Sequence, residues 1–140
     1  MSEAFQIRGG KQLHGEIKPQ GAKNEALQIL CAVLLTGEEV RIKNIPDIHD
    51  VNRLIEILGD FGVKITKNAH GDYTFKADNV NFDYIKSKEF KKDGARLRGS
   101  IMLLGPMLAR FGEAYMPTPG GDNLLHWIQG PILKSYHTFQ

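Results

Sequence analysis

A chain of 140 residues, 41% of them hydrophobic, can bury one substantial core but is short for two independent ones. Lysine and arginine number 18 against 16 acidic residues, and a formal charge of +2 gives no electrostatic case for nucleic acid or an anionic membrane as partner. The first residues lack the charged-then-apolar pattern of a signal peptide, and the longest apolar run, Ile29 to Leu35, is too short to span a bilayer, so a cytoplasmic protein is expected.

Phe5 to Arg8 and Glu16 to Lys18 read as short strands, with Gly9-Gly10 and Gly15 as turn signals. Gly21-Ala22-Lys23-Asn24-Glu25-Ala26-Leu27 then sets a lysine and an asparagine where a polar turn becomes an apolar helix, expected from about Asn24 to Leu35. The first turn of a helix leaves backbone N–H groups without intrahelical acceptors, and its dipole favours negative charge there. Lys23 would add a full positive charge, so this is a candidate site for a phosphorylated small molecule; the same two residues also fit an ordinary polar helix start. Ala26 to Leu35 is apolar nearly all round, which predicts a buried helix. The single cysteine, Cys31, excludes an internal disulfide and reads as a small buried hydrophobe. Gly37 is a stop signal, and Glu39-Val40-Arg41-Ile42-Lys43 alternates as a half-buried strand.

A second helix is expected after Pro46, capped by Asp47 or Asp50, with Val51, Leu54, Ile55, Leu58 and Phe61 on its inner face and Gly62 at its end. Asn52, Arg53, Glu56 and Asp60 read as its solvated face. Val63 to Thr66 and Tyr73 to Lys76 form a predicted hairpin across Asn68-Ala69-His70-Gly71-Asp72. The lysine-rich stretch from Asp78 to Asp93 reads as a solvated connection rather than a binding patch. A third helix is expected to start after a cap at Asp93 and to pass through Leu97, Ile101, Leu104 and Leu108 toward Arg110. Gly105-Pro106 should bend it, and Gly112 should end it. Glu113 to Met116 reads as a strand. The five histidines are scattered, none paired at ligand spacing, so no metal or other cofactor is expected.

Helices and strands alternating with antiparallel hairpins predict an α/β or α+β sheet covered by helices. The pattern β-α-β-α-β-β fits once in full, and the third helix with its following strand fits the start of a second copy.

Laid end to end, Gly21-Ala22-Lys23-Asn24, Arg98-Gly99-Ser100-Ile101 with Leu104-Gly105-Pro106, Ala109-Arg110-Phe111-Gly112, and Pro119-Gly120-Gly121-Asp122 resemble the UDP-N-acetylglucosamine enolpyruvyl transferase family. The resemblance covers about residues 5 to 122 and implies transfer of enolpyruvyl from phosphoenolpyruvate to UDP-N-acetylglucosamine in peptidoglycan synthesis. The related enolpyruvylshikimate phosphate synthases usually carry Gly-Ser-Lys-Ser where this chain has Gly-Ala-Lys-Asn, which makes them the second choice. A non-catalytic phosphate or sugar-nucleotide binding module is an alternative of another class. The implied fold is an inside-out α/β barrel of two domains built from β-α-β-α-β-β units, with substrates in the cleft between them. By that likeness residues 1–20 are strands of the other domain, residues 21–122 a partial enolpyruvyl transferase domain, and residues 123–140 a divergent tail.

The resemblance also implies roles. Lys23 matches the lysine that contacts phosphoenolpyruvate, and Asn24 its partner. Arg98 resembles an arginine near the substrates, where a planar guanidinium can bind oxyanions through paired hydrogen bonds. Arg96, two residues away, belongs to another helix face and reads as surface. Asp122 stands where most members carry cysteine as general acid and some carry aspartate. A carboxyl can deliver that proton if a dry or anionic site raises its pKa. Taken without the other motifs, Pro119-Gly120-Gly121-Asp122 also fits a plain turn. After Asp122 the likeness stops: residues 123–140 contain no acidic residue and one lysine, Lys134. Leu124, Leu125, Trp127, Ile128, Ile132, Leu133, Tyr136 and Phe139 are expected to cover apolar surface or to drive self-association. The 140-residue chain, resembling the front of a longer enzyme, is expected to be inactive alone.

Overall fold

The computed structural model of the chain describes residues 6–115, with Arg98 described through its backbone alone. Helix α1 (Lys23–Ala32) continues into a 3-10 turn (Val33–Leu35), then strand β1 (Glu39–Ile42), helix α2 (His49–Asp60), strands β2 (Lys64–Ala69) and β3 (Asp72–Lys76), and helices α3 (Phe82–Lys86) and α4 (Lys88–Arg96). A 3-10 segment (Arg98–Leu103) leads into helix α5 (Leu104–Phe111). The three strands pair antiparallel in the order β1-β3-β2, an α+β arrangement with helices packed on the sheet.

Phe75 lies at the sheet's centre, opposite Val40 of β1 and Ile65 of β2, and is fully buried. Against this face pack Leu30 and Leu34 of the first helical stretch and Val51, Leu54, Ile57 and Leu58 of α2, all within one core. On β1 and β3, Arg41 donates through Nε and Nη2 to both carboxylate oxygens of Asp72, at 2.9 and 2.8 Å. That fork holds the Asp72 carboxyl down at about 2.

The short connection Asn44-Ile45-Pro46 carries two close approaches. A Cβ on Gly21 would lie 2.1 Å from the Asn44 carbonyl oxygen, so only glycine lets the chain leading into α1 pass there. Gly71, at φ 67° in the β2–β3 turn, would place a Cβ 2.8 Å from the Ile45 carbonyl oxygen. Its own carbonyl accepts from the Ile45 N–H at 2.9 Å. The hairpin turn and the approach to α1 are thereby fixed to the segment that launches α2.

Several sequence expectations are corrected. Residues 6–20 form no strand and are exposed throughout, because no neighbouring strand takes up their backbone N–H and C=O groups; Phe5 lies outside the described residues. Helix α1 is not buried all round, since Ile29 is 42% and Leu35 52% exposed. Neither Asp47 nor Asp50 caps α2 through its side chain: Ile48 holds the N-cap position, and Asp47 accepts from Asn52 Nδ2 at 2.7 Å. Nor is the outer face of α2 merely solvated. Arg53 pairs with both Glu56 and Asp93, and the Asp60 carboxylate accepts from the Tyr84 hydroxyl at 3.0 Å.

The supposed connection at 78–93 is two helices. The Asn81 side chain accepts from the N–H groups of Asp83 and Tyr84, and Ser87 Oγ from that of Phe90, two caps that start α3 and α4. Ile85 and Phe90 bury fully, and Phe61, Tyr84 and Phe90 meet edge on, with centroids 5.1 Å apart for Phe61 and Phe90. Asp93 therefore lies inside α4 instead of capping a third helix. Gly105-Pro106 falls in the first turn of α5, where a missing N–H is harmless, so the proline follows a helix start instead of bending a helix. Gly112 closes α5 as expected, and Gly62 follows α2. Glu113 to Tyr115 are not strand; Met116 and the apolar tail lie outside the described residues. No helix among the described residues is long and apolar enough to cross a membrane.

The Gly71 contact gives the first prediction. Gly71→Ala should destabilise the chain by about 2 kcal/mol, from the left-handed conformation and the clash with Ile45. Gly105→Ala, with nothing within 4 Å of its Cβ, should be neutral or stabilise by up to about 1 kcal/mol. Urea unfolding of the two variants measures both, and equal midpoints would refute the assignment.

Candidate functional site

Helix α1 begins at Lys23 behind Ala22, which offers no side-chain hydrogen bond to the first turn. The first α-helical bond runs from the Ala26 N–H to the Ala22 carbonyl. The preceding N–H groups at the helix start are therefore aimed outward without a capping side chain, the arrangement that favours an anion.

Lys23 and Asn24 stand on one wall of a groove of about 340 Å³, together with Leu27 and Gln28. Asp50, from the first turn of α2, and Gly99, Ile101 and Met102, from the 3-10 segment, complete it. The groove is open and mixed in character, with Met102 40% exposed at its rim. Within it the Lys23 ammonium forms an ion pair with the Asp50 carboxylate, both side chains about two-fifths exposed, at 43% and 39%. Asp50 also borders a second hollow of about 310 Å³ with His49, Arg53, Glu56, Arg96 and Leu97.

The 3-10 segment is held in place from behind. Ser100, buried completely, donates its hydroxyl to the Gly94 carbonyl at 2.8 Å, tying the segment to α4. Its hydrogen bond is satisfied inside the protein, which makes it a structural polar group. At the other end of α1, the Arg110 Nη1 donates to the carbonyls of Leu34 and Thr36 at 3.0 and 2.8 Å. The turn after α1 is thus fixed to α5, and the segment before α5 to α4.

Of the residues picked from sequence, Lys23 and Asn24 share the groove. Arg98 opens the 3-10 segment that supplies the opposite wall, described at its backbone. Asp122 lies outside the described residues. Arg96 ends α4 and is exposed, beside His49 and Arg53 and apart from Lys23. Asp50 escaped the sequence reading except as a possible cap, because its pairing with Lys23 depends on two helix N-termini meeting in space. Its local signal, an acid in a first turn, is common to most helices. Among the described residues, no cluster of three His, Cys, Asp or Glu side chains gathers as metal ligands.

A family model for EPSP synthase (3-phosphoshikimate 1-carboxyvinyltransferase) matches residues 7–126. The UDP-N-acetylglucosamine 1-carboxyvinyltransferase of Bacteroides fragilis is 56% identical over 121 residues, which is 86% of this chain and 28% of that protein. The protein of the same name from Bacteroides thetaiotaomicron is 55% identical over the same shares. Among solved structures, the enolpyruvyl transferase NikO from Streptomyces tendae matches with a TM-score of 0.57 at 26% identity, over 76% of this chain and 24% of that one. The chain spans 28% of the length of the curated relatives it matches.

Cys31 sits on the inner side of α1, 1% exposed, and burial pushes its thiol up to about 12. It should therefore resist thiol-alkylating reagents in the folded chain and react at an ordinary rate in denaturant. Mass spectrometry after iodoacetamide treatment with and without urea tests this; rapid native labelling would contradict the burial.

Proposed function

The chain belongs to the EPSP synthase family, and on that premise we propose that it carries the front part of an enolpyruvyl transferase acting on phosphoenolpyruvate and UDP-N-acetylglucosamine in peptidoglycan synthesis. The observation that carries the reading is the pairing of Lys23 and Asn24 at an uncapped helix start with the segment that follows Arg98, across one groove. The choice of acceptor rests on the two Bacteroides relatives at 55–56% identity, both bearing the sugar-nucleotide name, and on Gly-Ala-Lys-Asn at residues 21–24.

In this reading the Lys23 ammonium and the α1 N–H groups hold the phosphate of phosphoenolpyruvate and stabilise the charge it gathers on leaving. Asn24 and Arg98 orient substrate oxygens through hydrogen bonds, the guanidinium through two at once. Asp122 delivers a proton to the methylene carbon while an acceptor hydroxyl bonds to the neighbouring carbon. The hydroxyl gives up its own proton to a base as that bond forms, and elimination then removes phosphate together with a proton from the new methyl group, which restores the double bond. Residues 6–20 belong to the other domain of an inside-out α/β barrel; Ile7, Leu13 and Ile17, 89%, 91% and 91% exposed, support a packing surface outside this body. The order α-β-α-β-β from α1 to β3 supports a β-α-β-α-β-β unit whose first strand comes from elsewhere in the full enzyme. The transfer is assigned to a cytoplasmic enzyme.

Residues 1–140 alone should give no measurable transfer, because a cleft between two domains cannot close around substrates with one wall. Residues 1–122 joined to the remainder of the Bacteroides fragilis relative should release phosphate only when both phosphoenolpyruvate and UDP-N-acetylglucosamine are present. Lys23→Ala in that chimera should lower turnover by about 100-fold or more. Full turnover in the alanine variant would remove Lys23 from the site.

The same chimera should resist thiol-alkylating inhibitors such as fosfomycin, because a carboxylate is a poor substitute for a thiolate nucleophile. Asp122→Cys should keep activity and gain time-dependent inactivation on preincubation. Equal inactivation of both versions would show that residue 122 is not at the reactive position.

A further inference from the structure

Lys23 is not a free cation waiting for a ligand. Its ammonium is paired with Asp50, and both groups face the same groove. An arriving phosphate must therefore compete with a carboxylate already in place. Asp50 can give up that partner at little cost, because it stands in the first turn of α2, whose N-cap residue Ile48 makes no side-chain capping bond. The N-terminal dipole of α2 favours the carboxylate where it is, whether or not Lys23 remains.

Resting on the reading of Lys23 as the phosphate-binding lysine, we propose that Asp50 is a positioning residue: the resident counter-anion that holds the Lys23 ammonium over the groove, yields it to phosphate, and takes it back when phosphate leaves. Two opposed effects follow from one carboxylate. As a tether it keeps a long, flexible side chain from dispersing into solvent, which favours binding of the next phosphate. As a charge it repels an anion and competes for the ammonium, which weakens binding and hastens release of the product. A merely structural aspartate would have neither effect on phosphate affinity beyond a loss when it is removed.

Neutral substitutions separate the two. Asparagine keeps the shape and an oxygen that can accept from the ammonium but removes the charge; alanine removes both. The 140-residue chain is titrated with inorganic phosphate at constant ionic strength, at a pH where phosphate is a dianion, following the backbone amide signals of Lys23, Asn24 and Glu25. Asp50→Asn should bind phosphate about fivefold more tightly than the wild type, the worth of one unit charge a few ångströms away in a wet site. Asp50→Ala should bind about threefold more weakly than Asp50→Asn, through the lost tether. Asp50→Glu should return affinity toward the wild-type value. An asparagine variant that binds no more tightly than the wild type, or an alanine variant that binds as tightly as the asparagine one, overturns the proposal while leaving the Lys23 site standing. If Lys23→Ala titrates like the wild type, or phosphate shifts none of the three amides, the underlying reading of the site fails and the role of Asp50 falls with it.

Discussion

Everything that shapes the groove leans on the three residues Asn44-Ile45-Pro46. Gly21 presses against the Asn44 carbonyl just before α1 begins, and Gly71 presses against Ile45 from the hairpin turn. Pro46 then directs the chain toward α2, with Asn44 in the left-handed region at φ 61°. Because α1 and α2 both start from this junction, their N-termini arrive side by side, and Lys23 meets Asp50. The core under them, centred on Phe75, Leu30 and Leu54, supplies the apolar burial that makes the junction rigid. The contacts around the junction supply the register, since each leaves no room for an added methyl group.

A second set of ties fixes α1 lengthwise. Arg110 binds the carbonyls of Leu34 in the 3-10 turn after α1 and of Thr36 just beyond it, and Ser100 anchors the opposite groove wall to α4. Neither residue lines the groove. Both act by removing freedom from the backbone that forms the groove walls, and an arginine in such a motif is as well explained by carbonyl capping as by substrate contact. Hence Ala109-Arg110-Phe111-Gly112, which helped to establish the family likeness, is in this fold a packing device.

The resemblance drawn from four short motifs is borne out by the family model and by relatives at 55–56% identity. Strongly periodic elements were legible for the same reason that they fold: α2 buries Val51, Leu54 and Leu58 along one stripe, and the β2–β3 hairpin turns at His70-Gly71. Helices α3 and α4 were hidden by their lysines, since Ile85 and Phe90 are the only large side chains they bury fully and the signal lay in the caps Asn81 and Ser87. The strands expected before Gly21 fail because pairing is a property of two segments, and one sequence window shows only one of them. At the site, Lys23 and Asn24 were legible as a charged helix start. Asp50 was not, being 27 positions away along the chain and brought near only by the junction.

The exposed stretch at residues 6–20 has a practical meaning for the life of the polypeptide. Proteases take substrates as chain free of helix and strand, and this stretch offers Arg8 and Lys11 in that form, exposed to solvent. The body from α1 onward keeps its own lysines and arginines largely within helices and paired strands. A trypsin-like enzyme is therefore offered the Arg8-Gly9 and Lys11-Gln12 bonds ahead of Gly21, while Pro19 protects the bond after Lys18, and cutting at the first two leaves a body that still holds Lys23 in place.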